Sequence, residues 1–520
     1  MNQPEESCSS GILQNHCREE KQECNDDNNL PQITQELRKL LKLAGPLLFV
    51  SLLQFSLQIT SVIFVGHLGA LHLASASLTT SIAGLTGYNV MIGMAAALET
   101  LCGRAYGAKQ PHMLGIHTQR AMLTFTILCI PISVLWSFTG PILRFLKQNE
   151  AISTLAGEST PWLIPSIFPF GIIQCQNRFL QTQNITLPQM VSSAVGCVVH
   201  ALSCWVLIFR LDMGNRGACL ANGVTYSTVA VMLTAYIKFS GRCDDTWTGF
   251  SLECARDVVS FLRLGVPSGL MTCLEFWSYQ VFIILAGLLP NAQLETSMML
   301  ISLNTSAMAF RIPMSLGSAI STRVSKELGA GNPEAARLAV RVVLFLVVFQ
   351  GLLASSIATA ARHVLGFLYT DDRRLVVYLA SVVPILAASN FIDGIHGVLS
   401  GCARGCGWQE RVAYISLGSY YLVGIPVAAS FTFLGHLQGK GFLLGIIAGS
   451  TVKAGALLIM TIGTNWEHES MKTVYVQAKK AKRNVDASSL PVEMLRSAKA
   501  PELSGKCFRL TAIITTGNRC

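Results

Sequence analysis

The sequence predicts an all-α polytopic membrane protein: twelve transmembrane helices in two six-helix lobes, related by a pseudo-two-fold axis along the membrane normal. Composition, the spacing of apolar stretches and an internal duplication predict it. The chain of 520 residues is 51% hydrophobic and only 13% Asp, Glu, Lys and Arg, against roughly 25% charge in ordinary soluble domains. Mean hydropathy is +0.47. This excludes a disordered chain, a nucleic-acid-binding domain and a typical cytosolic enzyme. A spanning helix needs ~20 apolar residues, so twelve passes fit with room for loops and two tails.

Residues 1–43 are polar and acidic, with Glu19, Glu20, Glu23, Asp26 and Asp27 close together. No apolar run follows a basic start, so the segment reads as a cytoplasmic tail rather than a cleaved signal peptide. Apolar stretches follow at 44–66, 75–101, 121–146, 160–181, 187–209 and 216–239, the first lobe (44–239). A polar cytoplasmic loop, 240–261, leads to stretches at 262–289, 295–321, 336–361, 376–401, 411–434 and 441–463, the second lobe (262–463). Residues 464–520 are polar and basic again and read as a cytoplasmic tail.

Orientation follows from Lys and Arg, which are retained on cytoplasmic loops. Even-numbered loops carry Arg104, Lys109, Arg178, Arg256, Arg323, Lys326, Arg404 and Arg411 among others, whereas odd-numbered loops carry fewer, such as Arg144, Lys147, Arg210 and Arg216. The tail cluster Lys479, Lys480, Lys482 and Arg483 agrees with the even set, which puts both termini in the cytosol. The net charge of +10 reflects this retention rather than an anionic partner. The 16 cysteines form no C-x-x-C pair and many sit in apolar runs, so they read as structural.

The duplication aligns Leu40-Leu41-Lys42-Leu43-Ala44-Gly45-Pro46 with Phe261-Leu262-Arg263-Leu264-Gly265-Val266-Pro267. Tyr106-Gly107-Ala108-Lys109-Gln110-Pro111 likewise aligns with Leu328-Gly329-Ala330-Gly331-Asn332-Pro333, and Pro165 with Pro384. An even number of passes per half gives both halves the same orientation, with a cavity expected between them, as in transporters.

Ionisable groups at mid-membrane cost at least ~2.5 kcal/mol and point to function. Two acids qualify, Glu275 in the seventh span and Asp393 in the tenth. Helical spacing puts Thr272 and Tyr279 on the face of Glu275, and Ser389, Asn390, His396, Gly397 and Ser400 on that of Asp393. In the duplicated half the matching positions are the amides Gln54 and Gln174, so only the second half can titrate there. Glu275 and Asp393 are therefore the candidate proton-coupling and substrate-binding pair. Gln54, Gln174, Tyr279, Asn304, Asn390 and His396 are expected to line the cavity, and Pro46 to serve as a hinge.

Glu99 and Glu295 lie near span ends and are expected to cap or pack; His200 is expected to be a hydrogen-bonded core residue, and the other mid-span groups read as acidic or neutral. No P-loop, nucleophile elbow, H-E-x-x-H or paired Cys/His metal spacing occurs, so neither ATP hydrolysis, an enzyme nor a metal site is expected. The sequon Asn184-Ile185-Thr186 falls on a cytoplasmic loop, where it is inert.

Val65-Gly66-His67-Leu68-Gly69, the run Ala97 to Ala108 (ALETLCGRAYGA), Leu294 to Ser297 (LETS), Ser321 to Pro333 (STRVSKELGAGNP) and Leu399 to Gln409 (LSGCARGCGWQ) together resemble the multidrug and toxic compound extrusion (MATE) family, in its plant detoxification branch. The resemblance covers roughly residues 35–475. It implies a two-lobe exporter that exchanges cytosolic organic compounds for cations, with H+ preferred over Na+ as the driving ion and the acids at Glu275 and Asp393 as the coupling site. Implied partners are a small organic substrate and the bilayer of the plasma or vacuolar membrane, with a monomer acting without ATP, cofactor or nucleic acid. The sequence departs from the family pattern at His396, where Gln is common, at Arg104, a usual Gln, and at Lys326, a usual Asn; the stretch after about residue 485 fits no part of it. The rivals are a channel, a lipid-type flippase, a flavonoid or other anion exporter and a membrane enzyme. The absence of an evident mid-span base weighs against the headgroup and anion readings.

Overall fold

The structure, a computed structural model, describes residues 31–484 apart from 147, 288, 370 and 371. The acidic cluster at 19–27 and the tail beyond 484 lie outside the described residues. The passes are α1 Gln32–Gly66, α2 Ala70–Gly107, α3 Pro111–Ser137, α4 Ile164–Thr182, α5 Leu187–Arg210 and α6 Gly214–Phe239. After the connecting loop come α7 Val258–Ala286, α8 in two segments (Ala292–Ala309 and Arg311–Gly329), α9 Pro333–Ala360, α10 Arg373–Gly405, α11 Gln409–Leu434 and α12 Gly439–Ile462. A further helix, α13, runs over Trp466–Asn484.

Ten of these helices are long and apolar enough to cross a membrane by that measure alone. The two others, α4 and α8, fall short for visible reasons. Gln174, Gln176, Asn177, Arg178 and Gln181 crowd α4, and α8 breaks beside Arg311 into two shorter segments. Most of α4 and of the second segment of α8 is buried, where neighbouring helices supply partners for polar groups.

The tail expected over 1–43 gives way earlier, because α1 begins at Gln32 directly after Pro31. Leu40, Leu43 and Ala44 are buried in a core shared with α8, and Arg323 grips the Glu36 carboxylate through Nε at 2.7 Å and Nη2 at 3.0 Å. Tertiary packing therefore extends the helix through polar sequence. In the connecting loop, burial pushes the Cys243 thiol up to about 11, which keeps it protonated and a poor nucleophile.

One core in the first half is built around Phe125, Trp136 and Phe179; another, in the second half, is built around Phe282, Met298 and Phe442. Across the two halves, α1 packs on α8 and α7 on α2, the reciprocal pairing that the duplication requires. The repeated glycines explain how closely the halves approach. A Cβ at Gly107 would run into the backbone of Lys326 and Ala330, and one at Gly329 into the backbone of Arg104. Each duplicated glycine thus seats against its counterpart's helix.

Gly329→Ala is expected to destabilise this seam by about 1–3 kcal/mol, the scale of overpacking. Thermal melting in detergent would read it as a lowered midpoint, and an unchanged midpoint would show that the seam yields.

Candidate functional site

Pro267 sits two turns before Glu275 on α7, and Pro384 two and a half before Asp393 on α10. Both prolines lie inside long helices, and Pro46 does so in α1. The stripe Ser389, Asp393, His396 and Ser400 repeats at helical spacing, so it forms one buried polar face on an otherwise apolar helix. Opposite it, Ser450 and Lys453 stand one turn apart on α12, and Tyr420 projects from a widened turn, Gly418–Gly424, within α11. Such widened turns recur at functional positions in helices.

These elements bring the two acids to one imidazole. His396 Nε2 lies 3.2 Å from Asp393 Oδ1 and 3.7 Å from Glu275 Oε1. Ser450 donates to Asp393 Oδ1 at 2.6 Å and Ser389 to Oδ2 at 3.2 Å. The Tyr420 hydroxyl is 3.5 Å from His396 Nε2, and the Tyr420 ring meets Tyr279 edge-on at 6.2 Å between centroids. His396 Nδ1 is buried with no hydrogen-bond partner, as is Asn390 Oδ1. Lys453 and His396 side chains are 0% exposed, whereas Glu275 retains 18%. Glu275 is therefore the more accessible of the two carboxylates, since Asp393 retains 9%.

Lys453 is the member that sequence reasoning missed. Its Nζ donates to Glu275 Oε2 at 2.7 Å and lies 5.3 Å from the Tyr420 ring centroid. The signal was present: one Lys near the centre of the apolar run 441–463, with Ser450 on the same face. Counting basic residues only in loops passes over it. The reading that all mid-span groups are acidic or neutral is thereby corrected, and with it the case against a headgroup or anion site that rested on the lack of a base.

The other candidates stand apart from this cluster. Gln174 is buried and Gln54 partly buried in the first half, while Asn304 is exposed on α8. Glu295 accepts from the Gly439 amide at 3.0 Å and from the Tyr378 hydroxyl, so it holds the start of α12. His200 is satisfied on both nitrogens, by Ser61 at 2.8 Å and Thr225 at 2.9 Å. Among the described residues, no three of His, Cys, Asp and Glu gather as a metal site.

Glu99 does something different: it ties the halves together. Its fully buried carboxylate meets Arg178 Nη1 of α4 at 2.5 Å and Arg404 Nε of α10 at 3.5 Å, and accepts from Ser318 of α8. Gln181 Nε2 donates to Thr322 at 2.7 Å beside it. Two of the departures from the family pattern fall on the same seam. Arg104 Nη2 donates to the Cys406 carbonyl at 2.7 Å, and Lys326 Nζ to Asn184 Oδ1 at 2.8 Å. The seam lies at the ends of the spans joined by the even-numbered loops, and these contacts hold the two halves together there.

The MatE family model matches residues 46–206 and again 267–429, once in each half. The chain is 50% identical to Protein DETOXIFICATION 16 of Arabidopsis thaliana over 457 residues, 88% of this chain and 92% of the relative. It is 45% identical to Protein DETOXIFICATION 17 of the same plant, over 86% of this chain and 94% of the relative. Among solved structures, the eukaryotic MATE transporter AtDTX14 superposes with a TM-score of 0.83 at 38% identity, covering 86% of this chain and all of that one.

Proposed function

The chain belongs to the MatE family of multi-pass membrane transporters, and on that premise we propose that it exports small organic cations from the cytosol in exchange for H+. The observation that carries this reading is the convergence of Glu275 and Asp393 on His396, at 3.7 and 3.2 Å. The carboxylates come from helices remote in sequence and meet on one buried imidazole. A proton on either one removes the charge that would hold a cation, so the two ligands compete for the same groups. The proton gradient then supplies the work, at ~1.4 kcal/mol for each tenfold concentration difference.

Facing the cytosol, the deprotonated pair takes the organic cation; facing the acidic side of the plasma or vacuolar membrane, protons displace it. Aromatic faces at Tyr279 and Tyr420 suit a flat or lipophilic cation. A single chain holds both halves and the whole cluster, so the reading needs only a monomer and no ATP. An anion exporter would find a base at Lys453, but Glu275 already matches that charge at 2.7 Å, and Asp393 leaves the balance acidic.

Proteoliposomes loaded with tetraphenylphosphonium test the reading. Efflux is expected when the side opposite the cytosolic face is acidified, and collapse of the pH gradient is expected to stop it. Efflux driven by a Na+ gradient of equal size, and not by H+, would overturn it.

A further inference from the structure

We propose that Lys453 is a tethered competitor of the substrate: its ammonium holds the carboxylate and the aromatic face that an entering organic cation would use. The inference rests on the reading of Glu275 as an exchanging carboxylate. A cation bound at Glu275 would want a short contact to Oε2 and the face of a nearby ring. Lys453 Nζ already has both, at 2.7 Å from Glu275 Oε2 and 5.3 Å from the Tyr420 centroid.

The two acids are unequal in this respect. Asp393 is held by the hydroxyls of Ser450 and Ser389 and by His396, with no Lys or Arg on it. Glu275 alone is paired with a buried Lys, although it is the more exposed of the two, 18% against 9%.

Lys is suited to such a part. Its ammonium is compact and strongly hydrated in water, and its four-carbon stem lets it withdraw without moving α12. Ser450, one turn earlier on the same face, touches Asp393 at 2.6 Å. A displaced ammonium therefore has a second carboxylate within about one helical turn. The exchange keeps the number of charges constant: the substrate cation takes Glu275, and Lys453 swings toward Asp393. Small amines gain little over the resident ammonium. Delocalised lipophilic cations, which add apolar contact area on Tyr279 and Tyr420, displace it. Lys453 thereby selects monovalent, delocalised organic cations.

Binding of tetraphenylphosphonium to the purified full-length chain tests this. Lys453→Gln is expected to bind it at least about tenfold more tightly, the scale of a charge-assisted hydrogen bond that no longer has to be broken first. Lys453→Arg, which keeps the charge on Glu275, is expected to show no such gain. The gain must shrink when Glu275→Gln is present as well, since removing the carboxylate removes what was competed for. Affinity that is unchanged or weakened in Lys453→Gln, or a gain of equal size with and without Glu275, overturns the proposal.

The wild-type chain offers a reading that needs no substitution. Saturating tetraphenylphosphonium must speed labelling of Lys453 by a small amine-reactive reagent, followed by peptide mass spectrometry; an unchanged or slower rate overturns the proposal. Its failure is distinct from failure of the coupling reading, which shows in gradient-driven transport by Glu275→Gln.

Discussion

Asp393→Asn is expected to abolish efflux driven by a pH gradient while leaving the bundle intact. The asparagine amide oxygen can still accept from Ser450 and its amide nitrogen can donate to the Ser389 hydroxyl, so the two hydroxyls that hold the wild-type carboxylate at 2.6 and 3.2 Å keep a partner. What is lost is the charge and the proton. Glu275→Gln is expected to abolish the same activity with more structural cost, because it strands the fully buried ammonium of Lys453. Removing one member of a buried ion pair costs about 3–5 kcal/mol. Lower expression or melting temperature in Glu275→Gln therefore says nothing about coupling, and transport must be normalised to the inserted protein. The decisive comparison is between gradient-driven efflux and exchange of labelled against unlabelled cation at equal pH. If the acids couple protons, Asp393→Asn loses the first far more than the second. Full pH-driven efflux in both variants would reduce these carboxylates to helix ties.

Much of this arrangement is legible in the sequence because lipid imposes simple rules. Apolar stretches of span length mark the passes, and the repeat of Leu40–Pro46 in Phe261–Pro267 marks the two halves. Glu275 and Asp393 stand out because a carboxylate amid apolar residues has no reason to be there except a partner or a task. The features that escaped are those made by tertiary contact. That α1 starts at Gln32 depends on Arg323 reaching Glu36 from a position 287 residues away. The break in α8 beside Arg311 is likewise absent from any hydropathy profile. Lys453 is different, because it is legible by the rule that marks the acids. A mid-span base belongs to the same class of anomaly as a mid-span acid, and a count of Lys in loops alone passes over it.

Glu99 shows most clearly what a sequence withholds, since its position near a span end suggested no more than capping or packing. Buried between Arg178 and Arg404, it is the negative charge that lets two guanidiniums from opposite halves share one dry space. Glu99→Ala is expected to turn that attraction into repulsion and, in the proposed orientation with the even-numbered loops in the cytosol, to weaken closure on that side by about 3–5 kcal/mol. Even 3 kcal/mol is more than a hundredfold in an equilibrium constant, enough to bring a conformer held at about 1% to parity with the closed form. The consequence is a population opened toward the cytosol. Cys406, buried on this seam with its carbonyl bound by Arg104, is a native reporter of the change. Its labelling by a maleimide applied from the cytosolic side is expected to accelerate in Glu99→Ala. If charge is the cause, adding Arg178→Ala must slow the labelling again, because it removes one of the two repelling groups. A rate equal to wild type in Glu99→Ala would mean that the glycine contacts at Gly107 and Gly329, rather than the ion cluster, hold the halves closed.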